Sequence, residues 1–153
     1  PSGNSVAALV LLRLGAIRSD PKLFETGDQT LAFYSQLLVH HGGRAASLGL
    51  SALDFSIGPR REVVIVGDPQ APETRALLRE VERRYLPRTI TILRPPGAAS
   101  ALVAEVPWVK ALTQMGERPT AYVCVGFACK APVFSAQALG KLLDAAPRAE
   151  PPK

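Results

Sequence analysis

At 153 residues and a formal charge of +5, the chain can bury roughly 68–70% of its unfolded surface, so it needs no disulfide staple to form a core. Its two cysteines fit a reduced, cytoplasmic setting better than a secreted scaffold, and the apolar run Val6 to Leu12 is far short of the ~20 residues of a membrane span and lacks the basic leader of a signal peptide. The positive charge is not gathered for nucleic acid, because the arginines between Glu73 and Tyr85 alternate with Glu80 and Glu82, and no Lys/Arg run interleaves with aromatic residues.

The chain opens at Pro1 without an initiator Met and enters a helix within a few residues, which suggests a piece of a longer protein. Ser2, Asn4 or Ser5 can cap this helix, and Val6, Leu9, Val10, Leu14 and Ile17 form a stripe that Leu11 and Leu12 widen. A helix apolar on nearly every side is expected to be enclosed by others. The second helix, Lys22 to Val39, is amphipathic, with Phe24, Leu31, Tyr34 and Leu38 opposite Glu25, Asp28, Gln29 and Gln36. His40, His41, Gly42 and Gly43 read as a turn and C-cap with surface histidines. The third helix, Ala45 to Ile57, carries Leu50, Leu53 and Ile57 in register and Asp54 as its sole charge. Buried, surface, buried is the order expected of inner, outer and inner helices in an α/α toroid, although a plain bundle gives a similar pattern.

Gly58 and Pro59 end the helical segment, so the expected organisation is a helical part over 1–58, a small α/β appendage over 59–145 and a disordered tail over 146–153. Three apolar runs, Glu62 to Val66, Thr89 to Leu93 and Thr120 to Val125, each lead into a helix-like stretch, which predicts a three-stranded parallel βαβαβα unit. Pro72 opens the first of these helices and Leu77, Leu78, Val81 and Tyr85 face the sheet, while Glu80 and Arg84 are spaced as a helical ion pair on a solvated face. Ala98 to Met115 is broken at Pro107 into two short helices with Trp108 as a packing anchor, and Ser135 caps a closing helix to Asp144.

The carboxyl ends of parallel strands are the usual ligand positions, which points to Asp68, Arg94 and Gly126. Gly67-Asp68-Pro69 contains neither G-x-G-x-x-G nor a Walker lysine, so Asp68 reads as a turn former, Arg94 as a loop charge, and no cofactor is expected. Cys124 and Cys129 have four residues between them, against two in a thioredoxin-type pair. Packed thiols are the first reading and a redox or disulfide role the second, since Cα atoms within ~7 Å would permit a bond adding roughly 2 kcal/mol. Zinc is the weakest reading, because only His40 and His41 could complete four ligands. No base, nucleophile and acid set can be assembled, and the catalytic residues stay unknown.

Pro1-Ser2-Gly3-Asn4-Ser5-Val6, Gly67-Asp68, Tyr85-Leu86-Pro87, and above all Thr120-Ala121-Tyr122-Val123-Cys124 with Ala128-Cys129 and Pro132 resemble the C-terminal part of the thioredoxin-domain-containing, spermatogenesis-associated protein twenty family. The resemblance runs from Pro1 to about Asp144. It implies an upstream thioredoxin-like domain and an (α/α)6 toroid similar to that of N-acylglucosamine 2-epimerases, of which the leading helices would be a hairpin remnant.

Two functions follow. In the first, the chain is the C-terminal, mainly structural or docking part of a multidomain protein; its partners are the upstream domains, and the isolated piece self-associates through exposed helix faces. In the second, the intact protein is a sugar epimerase or isomerase with a sugar ligand, and Ser2, Asn4, Ser5 and Asp54 help to line the pocket, because hydroxyl, amide and carboxyl groups match sugar hydroxyls. Helix capping is the simpler role, but it accounts for one of Ser2, Asn4 and Ser5 and leaves two.

Overall fold

Residues 2–41, 47–96, 101–126 and 128–145 are described by the computed structural model. The chain divides into two units, Pro1–Gly58 and Pro59–Lys153.

The first unit holds helices α1 (Gly3–Arg18), α2 (Pro21–His41) and α3 (Ser47–Ile57). Ser2 caps α1. Ser19 then turns the chain in the left-handed region at φ 53°, and Asp20 Oδ1 accepts from the N–H groups of Lys22 and Leu23 at 3.0 and 3.1 Å to start α2. The face of α1 that meets its neighbours is made of small residues: Ser5, Ala8, Gly15 and Ala16 are buried together with Leu12. Close backbone approach requires this. A Cβ on Gly15 would lie 2.8 Å from Phe24 Cα, and one on Gly27 would lie 2.8 Å from the Leu12 nitrogen.

Enclosure of the large apolar stripes is therefore not found. Val6, Val10 and Leu14 are between 41% and 47% exposed, and Leu50, Leu53 and Ile57 of α3 are 45%, 37% and 73% exposed, while Ala52 and Phe55 are buried. Leu31 of α2 is buried and Phe24 half-buried, opposite exposed Glu25, Asp28 and Gln29. His40 and His41 belong to the last turn of α2 rather than to a loop. The side chains of Tyr34, Gln36 and Leu38, the glycines at 42 and 43, the residues at 45 and 46 and the predicted tail 146–153 lie outside the described residues.

The second unit is a mixed sheet of β1 (Arg61–Val66), β2 (Thr89–Arg94), β3 (Thr120–Val125) and β4 (Ala128–Cys129) in the order β2-β1-β3-β4. β1 and β2 are parallel, joined through α4 (Pro72–Glu82). β3 runs antiparallel to β1, with Tyr122 opposite Val64, and β4 folds back on β3. The expected three parallel strands are thus corrected to a four-stranded mixed sheet.

The two connections are built differently. A six-residue strand spans ~20 Å, and the eleven-residue α4 covers about 16 Å of the return. The five residues of α5 (Ala101–Glu105) reach only ~7.5 Å. After α5 come a 3-10 turn, Pro107–Ala111, and a reversal at Gly116, where φ is 65° and Met115 pairs with Arg118. The chain thus re-enters the sheet from the end where β1 and β2 finish.

Val63 and Ile65 of β1, Ala121 and Val123 of β3, Leu77 and Val81 of α4, and Leu139 and Leu143 of α6 (Ala136–Asp144) form the core. Ser135 caps α6 by accepting from Ala138 N–H at 3.2 Å. Tyr85 lies beyond the end of α4 and is 91% exposed, so it does not face the sheet. Pro107 splits its segment as expected, but Val109 rather than half-buried Trp108 is the fully buried anchor. No helix among the described residues is long and apolar enough to cross a membrane.

Candidate functional site

Of the four residues considered for sugar contact, two meet each other. Ser2 Oγ accepts from Ser5 N–H at 3.2 Å and lies 2.8 Å from Ser5 Oγ, with Ser5 buried. That is a capping arrangement. Asn4 is exposed, and Asp54 is half-buried in α3, its carbonyl accepting from Gly58 N–H at 3.2 Å.

The carboxyl-end trio does not converge either. Asp68 Oδ1 accepts from Gln70 N–H at 2.9 Å and forms the expected turn. Arg94 is not a loop charge, because it ends β2 and its Nη1 donates to the Leu112 carbonyl at 2.9 Å. Gly126 lies at the opposite end of the sheet, a consequence of the direction of β3.

The cysteines are bonded rather than packed as free thiols. Cys124 and Cys129 form a disulfide across β3 and β4, where they face each other in register. Gly126 makes the turn at φ 56°, a conformation that suits glycine. Cys124 is fully buried, whereas Cys129 is exposed on the edge strand. The opposing residue on β1 is Glu62, 3% exposed. Cross-strand partners share a face, so Glu62, Cys124 and Cys129 form one row. Sequence reading missed this hairpin, although Gly126 placed between two cysteines was its signal. Among the described residues no group of three or more His, Cys, Asp or Glu side chains could hold a metal ion.

A cleft of about 360 Å³ opens where β1 and β2 begin, lined in part by Pro59, Arg61, Leu86, Pro87, Arg88 and Leu143. Arg61 is 5% exposed, and its Nη1 and Nη2 donate to the carbonyls of Leu143 and Ala145 at 2.7 and 2.8 Å. The guanidinium thus closes the end of α6, where a cation and spare donors are both favourable. Burial lowers its pKa, partly offset by the charge of Asp144. Arg61→Met is expected to lower unfolding stability by about 2–3 kcal/mol, since it leaves those carbonyls unpaired; a urea titration reads the shift, and an unchanged midpoint would refute the role.

Behind the cleft, Arg84 bridges α4 and α6. Its Nη1 donates to Glu80 Oε1 at 2.8 Å and its Nε to Asp144 Oδ1 at 2.8 Å, while Arg83 Nε meets Glu80 Oε2 at 2.6 Å. The predicted Glu80 and Arg84 pair forms, but Glu80 is buried rather than solvated.

Comparison with known proteins places this geometry in context. The chain is 30% identical over 147 residues to spermatogenesis-associated protein 20 of Homo sapiens, and equally to the proteins of that name in Mus musculus and Rattus norvegicus. The match covers 94% of this chain and 18% of each relative's length, so the family resemblance carried by the residues holds across nearly the whole sequence. No family model matches the chain. No solved structure matches it.

Proposed function

We propose that this chain, which corresponds to 18% of the length of spermatogenesis-associated protein 20, is a mainly structural part of a longer protein, with α1 and α3 receiving further helices of that same protein. The observation that carries the reading is the pair of outward apolar stripes, Val6, Val10 and Leu14 on α1 and Leu50, Leu53 and Ile57 on α3. Covering a half-exposed Val, Leu or Ile gains roughly 1 kcal/mol. Both stripes together would thus supply about as much as the lower end of a domain's net stability. The remaining length of the relatives is the natural source of the cover. The second unit, with its core locked by Arg61 and Arg84, serves in this reading as a bracing appendage.

The test has two arms. The isolated chain should self-associate and bind an apolar dye, since exposed patches beyond a few hundred Å² are uncommon on monomers, and Val10→Gln with Leu14→Gln should return it to monomer. In the full-length protein the same pair should lower the melting temperature by several degrees. A monomeric, dye-silent parent chain together with a neutral effect in the full-length protein would overturn the proposal.

A further inference from the structure

We propose that the Cys124–Cys129 disulfide is a thiol-exchange site that accepts two electrons from an external dithiol through Cys129. The first ground is asymmetric access. Cys129 lies exposed on the two-residue edge strand β4, whereas Cys124 is 0% exposed within β3, in the row that contains Glu62. An incoming thiolate must approach in line with the sulfur it attacks, and of the two residues only Cys129 is exposed, so the attack is assigned to its sulfur.

The second ground is that the two sulfurs are held together by more than their own bond. Lys130 N–H donates to the Val123 carbonyl at 3.0 Å, and Ala121 and Val133 exchange both backbone hydrogen bonds at 2.8 and 2.9 Å. Gly126 fixes the turn between the strands, and Ser135 anchors the next helix just downstream. The hairpin register is therefore set on both sides of the cysteines. After reduction the thiols stay neighbours, and closing the bond again is an intramolecular reaction with a high effective concentration. Reversible exchange needs both properties, access on one side and a preserved geometry on the other.

The step balances as follows. One thiolate of the dithiol attacks the Cys129 sulfur, a mixed disulfide forms, and Cys124 leaves as thiolate and takes up a proton. The second thiol of the donor then attacks its own sulfur in the mixed disulfide, so that the donor departs oxidised and Cys129 is released and protonated. The two protons and two electrons lost by the donor end on the two cysteines.

Treating the native oxidised protein with dithiothreitol and following free thiols by mass tagging tests this. Both cysteines should become reactive within minutes while the far-ultraviolet signal and the melting transition persist, and removal of the reductant in air should restore the bond. In the single-cysteine variants, oxidised glutathione should add to Cys129 in Cys124→Ser and at least tenfold more slowly to Cys124 in Cys129→Ser. Reduction that occurs only in denaturing urea would overturn the proposal, as would equal modification of both variants. Should either variant fail to fold, the urea dependence of reduction in the parent protein still decides: no dependence supports native exchange, and a rate that tracks global unfolding refutes it.

Discussion

Replacing Gly15 by valine is expected to be the most damaging single change in the helical unit, lowering its stability by ~3 kcal/mol and its melting temperature by about 10 °C or more. An added Cβ would stand 2.8 Å from the Cα of Phe24 and 2.9 Å from its Cβ. The first of these is main chain of α2, which no side-chain rotation can clear. Helix α2 must therefore retreat, and the contacts that bury Leu12 and Leu31 open with it. Gly3→Ala serves as the control, since nothing lies within 4 Å of its added Cβ and alanine favours the helix by up to ~1 kcal/mol. Thermal unfolding followed by circular dichroism reads both. A Gly15→Val protein that melts with its parent would mean that the close approach of α1 and α2 is not what holds the unit together.

The same glycine shows what was legible in the sequence and what was not. Helix positions came out because caps and prolines punctuate them locally: Ser2, Pro72 and Ser135 each stand where the structure uses them. The buried side of α1 did not. Size made Val6, Val10 and Leu14 look like the packing stripe, whereas the contact with α2 is won by Ala8, Gly15 and Gly27, whose value lies in what they lack. Strand existence was equally local and strand direction was not. The orientation of β3 depends on the path of the chain between β2 and β3, where the reversal at Gly116 leads it into the sheet at the end where β1 finishes. The disulfide was lost with the hairpin, because two cysteines five positions apart become neighbours only once β4 exists. As for the sugar-contact candidates, the residue types were right for the chemistry, yet Ser2 and Ser5 already satisfy each other.

Long-range partners also decide the second large effect, a loss of stability in acid that runs through Arg84. Its spacing from Glu80 was readable as a helical pair, but Asp144 arrives from α6, sixty positions along the chain. In the folded state the pKa of Glu80 is lowered, first by its hydrogen bond to Arg83 and further by Arg84, and that of Asp144 is lowered chiefly by its hydrogen bond to Arg84. The unfolded chain therefore binds protons at a higher pH than the folded one, and the contribution of both carboxylates is complete above their ordinary values of ~4. It is lost as pH falls through the depressed folded values. The melting temperature of the second unit should accordingly hold level from neutral pH to ~5 and fall steeply below ~4. Arg84→Met removes the cation common to both carboxylates, so the neutral melting temperature should drop by several degrees and the fall in acid should become shallower, because the folded pKa values return toward the unfolded ones. Glu80 dominates, because its side chain is 10% exposed whereas that of Asp144 is 67% exposed and screened by solvent. Asp144→Asn should therefore reproduce only a small part of the change, and Glu80→Gln most of it. If Arg84→Met kept both the parent's neutral melting temperature and the full steepness of its acid limb, the bridge between α4 and α6 would be an ornament of the surface rather than a tie between the two helices that cover the sheet.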